Sequence, residues 1–273
     1  MGTPALWITF NLVVLILLAA DLSLFSHKKR ESTFWEAGLW SGVWVGLSLG
    51  FNLWIWLHYG SKPGLEFFTG YLIEKSLSVD NLFVFALVFH YFSVEPRDQH
   101  RVLYWGILGA LVMRGGLIAA GVALIHRFEW ILAFFGAFLI FAGAKMMFHS
   151  GERVDPGKNR ALRWMRKVMP LAEGQTGHHF AVRRDGKWMA TPLLLVLIVI
   201  ETADLTFALD SIPAIFSITR DAFIVYSSNV CAILGLRALY FLLARAIPQF
   251  QFLDEGLSIV LMFMGTKLVA DRW

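Results

Sequence analysis

Two stretches, EKSLSVDNLFVF at residues 74–85 and ETADLTFALDSIP at residues 201–213, decide how this chain is read. Aligning Glu74 with Asp204 also brings Ser76 onto Thr206, Asp80 onto Asp210 and Asn81 onto Ser211. Each stretch lies inside an apolar run long enough to cross a bilayer. A carboxylate in hydrocarbon is costly, so each of these acids needs a cation, a proton or a basic side chain as partner.

Composition supports the membrane setting. The 273 residues are 57% hydrophobic and 16% charged, whereas soluble domains carry about 25% charged residues. Several runs approach the roughly 20 apolar residues that span a hydrocarbon core. The short alternating segments of a β-barrel are absent. The fold class expected is therefore all-α: a polytopic transmembrane bundle of about eight spans. They are placed at about 6–26, 35–57, 67–92, 102–125, 130–148, 192–217, 222–244 and 256–270, with uncertain boundaries. The N-terminus has no cleavage-site pattern, so the first span is expected to stay as an anchor. The chain ends so close to its last span that a further helix is expected to be missing.

Loop charge orients the bundle. Fifteen Lys and Arg residues fall in the odd connectors and four in the even ones, which puts the odd connectors in the cytoplasm and the N-terminus outside. The net charge of +4 then reflects inner loops, with no need for nucleic acid. The connector at 149–191 is the sizeable soluble piece. Residues 158–170 read as a basic amphipathic helix on anionic inner-leaflet lipid. Farther on, Asp185-Gly186 between short extended runs reads as a hairpin.

The likeness of the two halves extends past the acidic stretches. Gly106–Arg114 matches Asn229–Arg237, and Phe141-Ala-Gly143-Ala-Lys145 matches Phe263-Met-Gly265-Thr-Lys267. Spans 3–5 thus resemble spans 6–8, and a unit of three helices repeated directly enters the membrane from opposite sides. The domain plan is two N-terminal helices (1–66), a first repeat (67–148), the basic loop (149–191) and a second repeat (192–273). An inverted repeat of this kind places a binding site near mid-bilayer between the halves.

Hard divalent cations take oxygen ligands. Glu74, Asp80 and Asn81 offer them from one half, and Glu201, Asp204, Asp210 and Ser211 from the other. The single Cys231 and the peripheral histidines disfavour a soft or imidazole-rich site, so Mn²⁺, Ca²⁺ or Mg²⁺ fits better than Zn²⁺ or Cu⁺. On straight helices these acids do not all share a face, and convergence requires unwinding of the sixth span near Pro213. Otherwise one acid per helix binds the ion and the other forms an ion pair. The competing structural account pairs the acids with Arg114, Arg237, Lys75, Lys145 and Lys267. Of these, Arg114, Arg237 and Lys75 are the named pairing candidates, whereas Lys145 and Lys267 are expected to snorkel. Asp21 is read as interfacial, and Gly42, Gly46 and Gly50 as a helix-packing stripe.

The two acidic motifs, together with Gln99-His-Arg-Val-Leu, closely resemble TerC family membrane proteins over about residues 34–270. That resemblance implies a bacterial inner-membrane protein related to Alx-type proteins, manganese exporters and LysE-like transporters. It implies that the seven motif residues named above serve the ion. Plastid relatives associated with thylakoid assembly keep a non-transporting scaffold open, and a Ca²⁺ transporter of the same fold is a third reading. The expected activity is export of Mn²⁺ in exchange for protons, with no permanently bound cofactor. An enzyme is not expected, since no nucleophile–base pair or phosphate loop stands out. The oligomeric state is left open, including a homo-oligomer.

Overall fold

The computed structural model describes residues 2–26, 34–128, 130–148, 170, 172, 179–184 and 187–243, with 258, 259, 262, 263, 266, 269 and 270. The elements are α1 (Pro4–Ser26), α2 (Phe34–Tyr59), α3 (Ser61–Tyr91), α4 (Pro96–Arg127), α5 (Ile131–Phe148), β1 (Ala181–Arg184), β2 (Lys187–Ala190), α6 (Pro192–Phe216), α7 (Ala222–Ile233) and α8 (Leu236–Leu243). This is a polytopic helical membrane protein. Its large outward-facing side chains are apolar, such as Ile16 on α1, Leu39 on α2, Val112 on α4 and Phe141 on α5, while Glu74, Asn81, Arg114, Asp204 and Asn229 are buried. An extended apolar exterior around a polar interior suits lipid and would be untenable in water.

Among the described residues three helices, α1, α4 and α6, are long and apolar enough to cross a bilayer, and α7 with α8 makes a fourth if that bent pair is one span. The expected spans at 35–57, 67–92 and 130–148 do form helices. In α2 the Trp and Gly residues dilute the hydropathy, and α3 carries Lys62, Glu66, Glu74, Lys75 and Asp80. Of the expected span at 256–270, only isolated positions belong to the described residues.

Local chemistry sets the helix ends. Pro96 and Pro192 open α4 and α6, where a missing N–H costs nothing. Thr191 caps α6 by accepting from the Leu194 N–H, and its hydroxyl donates to the His179 carbonyl at 2.7 Å. Asp221 caps α7, accepting from the Phe223 and Ile224 N–H groups at 2.9 and 3.2 Å. The expected hairpin is present: β1 and β2 pair antiparallel, with Arg184 opposite Lys187. Because Thr191 bonds back to the start of the hairpin, the hairpin is fastened to the entry of α6. The expected amphipathic helix at 158–170 lies, except for Pro170, outside the described residues.

The helices pack crosswise between the two halves. α3 lies against α7 and α6, α4 lies against α6 and α7, and α5 lies on α6. α2 packs on α3 and α8. The buried residues of α2 are Ala37, Trp44, Ser48 and Ile55. Its Gly42, Gly46 and Gly50 meet nothing within 4 Å of an added Cβ, so among the described residues the glycine stripe packs against nothing. The residues that pack α2 stand on a different face.

The expected seventh span is broken. α7 and α8 meet at 41° across Leu234 and Gly235. Gly235 has φ of +81°, and Trp44 lies 2.6 Å from where its Cβ would stand. Backbone conformation and contact both exclude a side chain there. Replacement Gly235→Ala is expected to lower stability by about 2–4 kcal/mol, the sum of a left-handed penalty and overpacking against Trp44. Thermal unfolding of the purified protein in detergent measures it, and an unchanged midpoint would contradict this account of the break.

Candidate functional site: carboxylates around Arg114

Glu74, Ser78 and Asn81 lie at i, i+4 and i+7 on α3, and all three are at most 1% exposed. Asp204, Ala208 and Ser211 repeat that spacing on α6 and are at most 3% exposed. One face of a helix carries such positions. Of the pairs that the internal alignment equates, Glu74 with Asp204 and Asn81 with Ser211 turn inward in both halves, whereas Ser76 and Thr206 both face outward.

Arg114 of α4 joins the two faces. It is the largest fully buried side chain among the described residues, at 1% exposure. Its Nε and Nη2 donate to Asp204 Oδ2 and Oδ1 at 3.1 and 2.8 Å, the bidentate fork that suits a guanidinium. Its Nη1 donates to Glu74 Oε1 and, at 3.1 Å, to Asn229 Oδ1. The Asn229 amide in turn donates to Glu74 Oε2 at 3.1 Å, and the Asn81 amide donates to Asp204 Oδ1 at 3.4 Å. Helices α3, α4, α6 and α7 thus each contribute to one hydrogen-bonded cluster. With both acids ionised, the cluster holds one negative charge more than the guanidinium cancels.

Several buried oxygens on α3 and α6 have no hydrogen-bond partner among the described residues: Ser78 Oγ, Asn81 Oδ1, Glu201 Oε2 and Ser211 Oγ. Unsatisfied buried acceptors are uncommon and costly. Glu201 precedes Asp204 by one turn and interacts with it electrostatically. Its carboxylate sits where a Cβ on Gly109 of α4 would collide with it, so the absence of a side chain at 109 makes its room.

The six expected ligands whose side chains are described do not all converge. Glu74, Asn81 and Asp204 belong to one cluster. Glu201 lies beside it, and Ser211 is two turns from Asp204. Asp210 is half-buried and interacts electrostatically with Lys145 of α5. The backbone of Asp80 lies on α3, and its side chain falls outside those described. Among the described residues no group of three or more His, Cys, Asp or Glu side chains could hold a metal ion together. The expected unwinding near Pro213 is also absent. α6 is helical throughout Pro192–Phe216, with Pro213 in its last turn. A helix without a break keeps Glu201 and Asp210 on different sides, nine residues or about 180° apart.

The pairing candidates divide. Arg114 pairs with Glu74 and Asp204. Arg237 pairs with Asp21 at 2.7 Å. Asp21, near the end of its span, is thus a buried pairing partner, at 7% exposure. The break at Gly235 stands between Asn229 and Arg237, so the second arginine does not repeat the reach of the first. Lys75 forms no ion pair among the described residues; its ammonium donates to the Ala232 carbonyl at 3.1 Å. Ala232 is in the last turn of α7, where carbonyls lack intrahelical donors, and the lysine satisfies one of them. Lys145 is exposed and interacts electrostatically with Asp210, and Lys267 lies outside the described residues. Asn229 was not among the expected site residues. Its signal was there to find: an amide within an apolar run, at the head of the Asn229–Arg237 match.

The chain matches the family described as "Integral membrane protein TerC family" over residues 59–273. It belongs to the TerC family. A Myxococcus xanthus relative, "Uncharacterized membrane protein STKORF319", is 48% identical over 267 residues, covering 98% of this chain and 84% of that protein. Relatives from Salmonella typhi and Escherichia coli (strain K12), both named "Putative membrane-bound redox modulator Alx", are 47% identical over 277 residues and cover 98% of this chain and 86% of theirs. No solved structure matches the chain. The TerC match begins at the end of α2 and takes in every residue of the Arg114 cluster.

Asn229→Ala removes a donor from Glu74 and an acceptor from Arg114. It is expected to destabilise the protein by about 1–3 kcal/mol, the penalty for a buried polar group left unpaired. Thermal unfolding in detergent reads the change, and a variant as stable as the parent would show that Asn229 does not hold the cluster.

Proposed function

We propose that this TerC protein is a secondary transporter that exports divalent cations, Mn²⁺ foremost, from the cytoplasm in exchange for protons. The observation that carries the reading is that Glu74 and Asp204, equivalent positions of two similar segments, meet at one buried centre. Two carboxylates from different helices, with neutral oxygens beside them, form a donor set suited to a hard divalent ion. We assign Glu74 and Asp204 as the principal carboxylates and Asn81 and Ser211 as the neutral oxygens. Asp80, Glu201 and Asp210 complete the acidic set along the route.

The reading includes an inverted repeat of spans 3–5 and 6–8 within an eight-span bundle. The crosswise packing supports it: the first helix of each half lies on the second helix of the other, α3 on α7 and α6 on α4. A two-fold axis in the membrane plane relates such pairs. The same axis would set Ser211 toward Glu74 as Asn81 is set toward Asp204. Loop charge orients the bundle in a bacterial inner membrane with the N-terminus outside.

A second reading has a specific observation in its favour. Arg114 satisfies both central acids, as in a non-transporting scaffold whose polar core is structural. The redox wording in the names of relatives finds no exposed thiol here, because Cys231, the one cysteine, is buried.

Transport is tested with Mn²⁺ uptake into inside-out vesicles driven by an acidic interior. Glu74→Gln and Asp204→Asn are each expected to lower the rate at least about tenfold, the scale of a lost ligand or supporting group at a metal site. Asp80→Ala and Asp210→Ala are expected to slow it as well. Normal transport by that last pair would remove them from the site, and an inert parent protein would favour the scaffold. Competition among Mn²⁺, Ca²⁺ and Mg²⁺ ranks the substrates.

A further inference from the structure

We infer that Arg114 is a tethered cation that occupies the carboxylate site between transport events and yields it to the incoming divalent ion, with Glu201 as the seat that receives the guanidinium. The inference rests on the cation-export reading and states how the site is kept when no ion is bound.

The guanidinium stands where the ion would stand. Four of its N–H contacts are directed at Glu74, Asp204 and Asn229. Yet the surrounding acceptors exceed what the arginine can satisfy. Ser78 and Asn81, both at most 1% exposed, each keep an oxygen without a donor among the described residues, and with both acids ionised the cluster has one negative charge more than the guanidinium cancels. A purely structural ion-pair core would match donors to acceptors. Spare oxygens around a monovalent guanidinium are what a site built for a more highly charged ion leaves when the ion is away.

Glu201 supplies the other half of the exchange. Its Oε2 is buried and has no donor, and the missing side chain at Gly109 gives its carboxylate a place against α4, the helix that carries Arg114. Glu201 and Asp204 are i, i+3 neighbours, about 5–6 Å apart on a helix surface. A long arginine side chain covers that span by changing rotamer. After the move a divalent ion faces Glu74 and Asp204 while the guanidinium faces Glu201, and each positive charge has its carboxylate. The carboxylate site never stands without a cation.

The test is Mn²⁺ binding to the purified full-length protein in detergent, with free Mn²⁺ read by electron paramagnetic resonance. Arg114→Gln removes the competitor and is expected to tighten binding about tenfold, and Glu201→Gln removes the second seat and is expected to weaken it about tenfold, within the range of coupled neighbours. In the double variant, Glu201→Gln should have no further effect. If Glu201→Gln weakens binding equally in both backgrounds, Glu201 is an ordinary ligand and the inference is overturned. Arg114→Gln binding no tighter than the parent also overturns it. Should Arg114→Gln fail to fold, Arg114→Lys, with a shorter and single-headed cation, enters the same cycle with the same expected signs. A parent that binds Mn²⁺ and shows an additive cycle sinks this inference and leaves export standing; a parent that binds no divalent cation sinks both.

Discussion

A guanidinium buried to 1% exposure in a lipid-facing bundle is the constraint to which the rest of this structure answers. Ionised groups leave water only when their charge is matched and their donors are used. Four helices meet that demand at one point: α4 supplies Arg114, α3 and α6 supply the carboxylates, and α7 supplies Asn229. The packing order follows from it. α4 must lie against α6 for the bidentate contact with Asp204, and α3 must lie against α7 for Asn229 to reach Glu74.

Much of this was legible in the residues. The internal alignment equates Glu74 with Asp204 and Asn81 with Ser211, and these positions turn inward together. The arginine at the end of the Gly106–Arg114 match is the partner of the acids, as the pairing account expects. The short extended runs expected on either side of Asp185-Gly186 form strands that pair antiparallel. Periodicity and the cost of buried charge suffice for these inferences because each concerns a single helix face or a single turn.

What was not legible depends on relations between distant segments. Asp21 looks interfacial by its place near a span end, and only the fold shows Arg237 reaching it. Lys75 looks like a counter-charge because it follows Glu74, but adjacent residues on a helix point in different directions, and the lysine meets a helix terminus instead. The break at Gly235 was hidden inside an apolar run, since the cause is the approach of Trp44 from α2. Convergence of all the acids would have required α6 to unwind, and an intact helix keeps them apart.

The Asp21–Arg237 contact bears on where this protein can be cut. The conserved-family match begins at residue 59, which invites treating everything before it as a dispensable leader. A fragment trimmed to that boundary would leave the Arg237 guanidinium in the core with its counter-charge gone, and would strip Trp44 from the elbow it braces. The first two helices are therefore structural supports of the segment that matches the family.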